Sequence, residues 1–165
     1  MITRKPKRPA PVKLDRVDLR ILALLQEDAS LSLQKVAERV NLSATPCWRR
    51  IQRLRKLGVI RREVAILDAA AVNLPVTVFV TVRTNQHTAE WLDRFARGVT
   101  ALPEVLEFYR MSGDVDYLLR IVVPDISGYD AFYKRLIKVA EIHDVSSSFA
   151  MEEIKFSTAL PLPHV

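Results

Sequence analysis

Hydrophobic residues in the first 60 positions recur at the spacing of helices. The pattern predicts a helix beginning at Asp15, and two more helices joined by a short turn between Ser32 and Leu57. The following stretch, Ile60–Leu67, predicts a short strand or wing. Residues 14–67 are therefore expected to form a helix-turn-helix domain.

Polar residues stand where the ends of these helices need them. Asp15, Ser32 and Ser43 are suited to the N-cap, because their side-chain oxygens accept from free backbone N–H groups. Asn41 tolerates the left-handed conformation of a tight turn, and Gly58 stands where a C-terminal glycine is expected. These positions set the predicted helix boundaries.

The second half of the chain changes to short strands that alternate with two amphipathic helices. Its predicted elements are strands at Val76–Arg83, Val105–Met111, Asp116–Val123 and Val145–Ser157, and helices at Thr88–Leu102 and Ser127–Ile142. The order β-α-β-β-α-β is that of a ferredoxin-like fold, so the chain is α+β, with this domain at residues 76–160. Strands that are apolar on both faces indicate that a second copy covers the sheet in a homodimer.

Two segments outside these domains have different compositions. Residues 68–75 are mostly small, with a possible left-handed Asn73 and then Pro75, and are predicted to form a hinge. Residues 1–13 hold five basic residues and three prolines, which predicts a flexible basic arm. Two roles stay open for this arm: a solvated tail, or an extension that reaches into a DNA groove.

Charge is distributed unevenly along the chain. Residues 1–62 contain 16 Lys and Arg against 5 Asp and Glu, whereas residues 63–165 contain 9 against 14. The formal net charge of +6 thus conceals a strongly basic front half, which favours binding to a polyanion. No apolar run approaches the ~20 residues of a membrane span, no secretory signal precedes the domains, and Cys47 cannot form an internal disulfide. A cytoplasmic protein is expected.

The third helix separates an apolar face from a basic one. Cys47, Ile51 and Leu54 project inward together, whereas the opposite face contains no acidic residue. Arg and Gln read guanine and adenine edges, and further cations bind phosphates. The predicted DNA-binding residues are Ser43, Thr45, Pro46, Trp48, Arg49, Arg50, Gln52, Arg53, Lys56, Arg61 and Arg62. The alternative for this helix is a soluble, arginine-rich surface that binds nothing.

Several segments together resemble one family. They are Leu14–Gln26, Leu31–Ile60, Gly113–Asp125 and Phe149–Lys155, and they resemble the Lrp/AsnC, or feast/famine, transcriptional regulators. The similarity spans residues 14–160, with both domains in order. Three shorter runs, Thr45–Trp48, Phe108–Met111 and Ser147–Met151, are most similar to the DecR-like branch, whose members respond to cysteine.

The resemblance implies a winged helix-turn-helix domain followed by an effector domain that dimerises through its sheet. It also implies dimers that assemble into octamers or similar rings, and a small amino acid bound where dimers meet. The effector segments carried over by position are Gly113, Asp114, Asp116, Ser146, Ser147 and Ser148. Carboxylates, hydroxyls and loop N–H groups suit an amino acid, although a plain hairpin turn and ordinary strand serines remain the alternative. Ala140–Ile142 replaces a Pro-Gly-Val common in the family, which leaves the effector's identity open.

The remaining chemistry-bearing residues favour structural roles. Cys47 is expected to be buried, and Trp48 either packs on the second helix or lies against DNA sugar. The three histidines lack metal-ligand spacing, and no cofactor motif or catalytic constellation is recognised. The predicted function is a sequence-specific, amino-acid-responsive DNA-binding regulator that is not an enzyme, with cysteine as a candidate effector. The alternative is a nucleoid-associated architectural protein with little sequence preference and no effector.

Overall fold

A computed structural model describes residues 12–162 of the chain. Within that range the chain divides into two compact units. One contains residues 66–154, and the other contains residues 12–65 together with 155–162. The predicted basic arm, residues 1–13, lies almost entirely outside the described residues. No helix in the described range is long and apolar enough to cross a lipid bilayer.

Three helices form the N-terminal part of the second unit: α1 (Arg16–Glu27), α2 (Leu33–Arg39) and α3 (Ala44–Lys56). Asp15 and Asp18 form a capping box at the start of α1. The carboxylate of Asp15 accepts from the backbone N–H of Asp18, and the carboxylate of Asp18 accepts from the backbone N–H of Asp15. Ser32 caps α2 through a 3.3 Å bond from the N–H of Lys35. Both predicted caps are confirmed.

The turns of this unit also follow the sequence. Asn41 has a φ of 56° and Gly58 a φ of 71°, so both adopt the predicted left-handed conformation. Ser43 occupies the N-cap position of α3, but its side chain makes no capping hydrogen bond. The core lies between the three helices, where Ile21 and Leu54 are fully buried.

The other unit contains four strands and two helices. They are β1 (Val76–Arg83), α4 (Ala89–Thr100), β2 (Val105–Arg110), β3 (Tyr117–Val123), α5 (Ile126–Val139) and β4 (Asp144–Phe149). The strands form one antiparallel sheet in the order β2-β3-β1-β4, which confirms the ferredoxin-like prediction. A short 3₁₀ turn at Ala70–Val72 precedes β1 and ends at Asn73, whose φ of 61° is left-handed as expected.

Alternation along β1 distinguishes the two faces of the sheet. Val78, Val80 and Val82 are fully buried on the face that packs on the helices, whereas Phe79 between them is 40% exposed. The face that carries Phe79 is called the open face below. The cross-strand register adds Leu118 and Ser148, among other residues, to the open face.

Two predicted boundaries and one predicted strand were wrong. The last strand ends at Phe149 rather than Ser157, because β1 begins at Val76 and offers no backbone beyond it for pairing. Helix α5 is capped by Asp125 rather than Ser127, since the carboxylate accepts a 2.7 Å bond from the Gly128 N–H. The stretch Ile60–Leu67 contains no strand, because no neighbouring strand pairs with it in the described residues.

Candidate DNA-binding face and effector segments

Helix α3 is fixed in the second unit by its apolar face. Cys47 and Leu54 are fully buried and Ile51 nearly so, all within the cluster that α1 and α2 complete. Burial raises the pKa of the Cys47 thiol, so the side chain behaves as a small apolar group, as predicted. With one face committed to the core, the opposite face of α3 must be turned to solvent.

The solvent-facing side of α3 is free of acidic residues, and its side chains are exposed except that of Gln52, which is half-buried. Its members are Thr45, Trp48, Arg49, Gln52 and Lys56. Arg49 and Lys56 form no hydrogen bond or ion pair with any described residue, so their donors are available to a ligand. This set is called the outward face of α3 below. Trp48 is 51% exposed and lines a small cleft together with Leu33 and Val36 of α2, so it borders the second helix and remains accessible.

Two arginines of α3 are held within the protein. Arg50 donates to Asp15 at 2.7 Å and to Asp18 at 2.8 Å. Arg53 donates to the other oxygen of Asp18 at 2.9 Å and to the Lys13 carbonyl at 3.1 Å. The sequence predicted both arginines as DNA contacts and did not anticipate these partners.

These contacts shift the titration of the groups involved. The backbone N–H of Asp18 and the guanidinium of Arg50 together lower the pKa of Asp15. Hydrogen bonds to Asp15 and Asp18 raise the pKa of Arg50. The Asp15–Arg50 pair therefore stays ionised at neutral pH, and it ties α3 to the start of α1.

Arg61 and Arg62 follow α3 in the stretch that forms no strand. Both side chains are exposed. The neighbouring Glu63 turns back to α3 and pairs with Arg55 at 2.6 Å. The stretch therefore presents two cations near the end of α3 without the predicted strand.

The predicted effector loop lies between β2 and β3. Gly113 has a φ of 124°, a conformation that side chains disfavour, and Asp114 is exposed beside it. Asp116 has a structural contact, because its carboxylate accepts a 2.8 Å bond from the N–H of Thr84 at the end of β1. Of the two carboxylates, only that of Asp114 forms no hydrogen bond with the described residues.

The predicted serines of β4 are divided between the two faces of the sheet. Ser146 and Ser148 lie on the open face, opposite Thr81 and Phe79 of β1. Ser147 faces the helices, where it accepts a 2.6 Å hydrogen bond from the Tyr129 hydroxyl. A single ligand on one face therefore cannot contact all three hydroxyls.

Both effector segments reach the same end of the sheet, with β1 between them. Arg83 pairs in register with Asp144 of β4, while Asp116 directly precedes Tyr117, the partner of Val82. At ~4.8 Å per strand, loop and β4 backbones are roughly 10 Å apart there, a gap that an amino acid can bridge together with the side chains that extend from both segments. Arg83 and Tyr129 were not singled out from the sequence, because their position beside the segments depends on register.

Comparison with known proteins places both units in one family. Residues 14–61 match the model of a winged helix-turn-helix DNA-binding domain, and residues 77–160 match that of the Lrp/AsnC ligand-binding domain. The chain belongs to the Lrp/AsnC family. This Lrp/AsnC member is thus a DNA-binding transcriptional regulator with a C-terminal ligand-binding domain, as the sequence predicted.

Individual relatives are similar over nearly the whole Lrp/AsnC chain. It is 51% identical over 150 residues to the DNA-binding transcriptional activator DecR of Escherichia coli K12, across 90% of this chain and 99% of that protein. An AsnC family regulator from Agrobacterium tumefaciens is 62% identical, with a TM-score of 0.87 over 90% of this chain and 97% of that one. A Neisseria meningitidis regulator, solved as its L-Met complex, is 36% identical, with a TM-score of 0.88 over 92% and 99% of the two chains.

Proposed function

We propose that α3 reads base edges in the major groove of double-stranded DNA, and that a small amino acid bound by the sheet domain changes this binding. The observation that supports the readout is the outward face of α3, which carries an exposed Arg49 and a half-buried Gln52 without an acid. Two copies in a dimer would enter successive major grooves about one helical turn apart. The regulator acts in the cytoplasm and carries out no catalysis.

A competition experiment separates this proposal from the architectural alternative. Both kinds of protein bind DNA through cations, but only a regulator keeps its site in the presence of bulk DNA. Genomic fragments retained by the protein at physiological salt should yield a common near-palindromic site, preferred over bulk DNA by about 10³-fold or more. Retention without a shared sequence would support an architectural protein instead.

Arg49→Ala should weaken binding to the cognate site by about 1–3 kcal/mol per α3 and relax the preference at one base pair of each half-site. The reason is that Arg49 has free donors on the outward face, and a bidentate contact to guanine is lost with them. Titration against operator variants measures both effects.

The matched control is Arg94→Ala, which removes an equally exposed arginine from α4 in the other unit. It should leave the site preference unchanged. If Arg49→Ala weakens binding to every sequence equally, Arg49 contacts phosphate rather than a base.

The open face supports a homodimer that could build larger rings. Phe79 and Tyr109 are 40% and 51% exposed there, and the Tyr109 hydroxyl donates to Glu107, which also pairs with Arg120 at 2.7 Å. These hydrogen bonds lower the pKa of Glu107, so the carboxylate stays charged and paired when the face is covered. A second copy of the same face would bury the aromatic groups while keeping this ion pair satisfied. The resemblance to the family implies that such dimers assemble into octamers or similar rings.

The effector proposal combines the loop with the end of β4. Asp114 has a free carboxylate for an ammonium group, and Arg83 supplies donors for a carboxylate. The L-Met complex of the Neisseria relative supports an amino acid as the ligand class. Thermal-shift screening of the amino acids, cysteine and methionine included, should single out the effector, since a ligand at 100 times its Kd adds about 2.7 kcal/mol.

Asp114→Ala should weaken the binding of the amino acid that the screen selects by roughly tenfold or more, because its ammonium loses a charge-assisted partner. Affinity for DNA without the amino acid should not change. Calorimetric titration of the ligand measures the first effect. Asp93→Ala, which removes an exposed carboxylate from α4, is the control. Equal ligand affinity in both variants would remove Asp114 from the pocket.

A further inference from the structure

Helix α3 has far less free positive charge than its sequence suggests. It contains five cationic side chains: Arg49, Arg50, Arg53, Arg55 and Lys56. Three of them are paired with acids of the same unit, since Arg50 and Arg53 bind Asp18 and Arg55 binds Glu63. Within the described residues, only Arg49 and Lys56 remain without a partner, and both lie on the outward face.

Asp18 is the centre of this arrangement. Its side chain is 1% exposed, yet both carboxylate oxygens are occupied. Oδ1 accepts from Arg50 at 2.8 Å, while Oδ2 accepts from Arg53 at 2.9 Å and from the Asp15 N–H at 3.3 Å. One buried carboxylate therefore fixes two guanidinium groups of α3 in place.

Asp18 caps α1 through the N–H of Asp15, a contact that needs only one of its carboxylate oxygens. Its ion pairs with Arg50 and Arg53 add little stability, because the two arginine side chains are 31% and 46% exposed. Ile21 and Leu54 already provide buried apolar contacts between α1 and α3. The acid must therefore be considered for its effect on the two arginines.

We propose that Asp18 is a positioning residue that determines DNA specificity by holding Arg50 and Arg53 away from the phosphates. The inference rests on the proposed DNA contact by α3. Non-specific binding comes almost wholly from cation–phosphate contacts, whereas base readout comes from side chains such as Arg49 and Gln52. Neutralising two flanking cations suppresses non-specific binding to phosphates without affecting base readout.

Salt dependence tests the proposal, because it counts phosphate contacts. Asp18→Asn keeps the shape of the side chain but releases Arg53, and partly Arg50, which Asp15 still binds. On non-specific duplex, the slope of log K against log salt should steepen by about 0.9 per α3. Affinity for non-specific DNA should rise up to about tenfold at 0.1 M salt, and the ratio of specific to non-specific affinity should fall.

A graded variant and a matched control sharpen the test. Asp15→Asn combined with Asp18→Asn frees both arginines, and asparagine caps a helix as well as aspartate, so the slope should steepen by about 1.8 per α3. Glu27→Gln is the control, because Glu27 is exposed on α1 and forms no ion pair within the described residues. It changes the net charge by the same amount as Asp18→Asn but releases no arginine. Its salt slope should therefore match that of the wild type.

If Asp18→Asn fails to fold, removing single cations from α3 tests the proposal instead. Arg53→Gln should leave the slope unchanged, whereas Lys56→Gln should flatten it by about 0.9 per α3. Equal flattening in both would place Arg53 on a phosphate and overturn the inference. The inference would also be overturned if Asp18→Asn and Glu27→Gln gave the same salt slope on non-specific DNA. That result would leave the proposed function standing, as long as the wild-type protein still binds a specific site. A wild-type protein that binds no DNA would instead defeat the proposed function.

Discussion

Phe79→Lys should convert the proposed dimer to a monomer and weaken operator binding by about 10²- to 10⁴-fold, the gain that two linked binding modules provide. Phe79 is 40% exposed on the open face, opposite Arg120 of β3 and Ser148 of β4. A lysine there would meet Arg120 within its own sheet and, in a dimer, the cations of the second copy. Like charges placed opposite one another are destabilising, and a covered charge without a partner costs more.

Sedimentation or light scattering should report the change in mass, and titration of the operator should report the loss of affinity. Ile137→Lys is the matched control, since Ile137 is 45% exposed on α5, on the helical side of the same unit. It introduces the same charge but should leave the dimer intact. If Phe79→Lys keeps the mass of the wild type, the open face is not where two copies meet.

The three N-terminal helices could be predicted from local features. Asp15, Ser32, Asn41 and Gly58 each act within a few residues of their own position, through a cap or a left-handed turn. Sequence therefore specifies them almost completely. The same logic gave the inward face of α3, since a period of 3.6 residues determines which side chains share a side.

Features that depend on distant partners were not predicted. The last strand was extended to Ser157 because its residues alternate suitably, but a strand ends where its neighbour does, and β1 begins at Val76. The same applies to Ile60–Leu67, which has strand-like residues and no partner strand. Strand propensity shows that a segment is suited to a sheet, but it does not show whether a partner strand lies beside that segment.

The candidate sites show the same limit. Arg50 and Arg53 stand on the flanks of a basic helix, and nothing in their neighbourhood along the chain reveals Asp18, which lies 32 and 35 residues away. Similarly, Ser146, Ser147 and Ser148 formed one predicted segment, yet the pleat places the middle one against Tyr129 and the others on the open face. Residue type was informative for both sites, whereas partner and direction required tertiary structure.

The core of the sheet domain gives the largest expected loss of stability. Phe95 of α4 is fully buried, with its ring centroid 4.8 Å from Trp91, 5.0 Å from Tyr117 and 5.7 Å from Phe108. Phe95→Ala removes the shared member of all three aromatic contacts and leaves a cavity that the rigid sheet cannot fill. The free energy of unfolding of this domain should fall by about 3–5 kcal/mol.

Trp91 provides a local probe of this loss, because its ring lies against Phe95 at the centre of the cluster. Denaturant unfolding followed by its fluorescence, in a Trp48→Phe background, reports on the sheet domain alone. Ile126→Ala is the control, since that isoleucine is 64% exposed at the start of α5 in the same unit, and its cost should stay below about 1 kcal/mol. Equal costs for the two variants would mean that Phe95 is not packed in the core. A large cost confined to Phe95→Ala would show that the aromatic cluster, rather than apolar content in general, stabilises the ligand-binding unit.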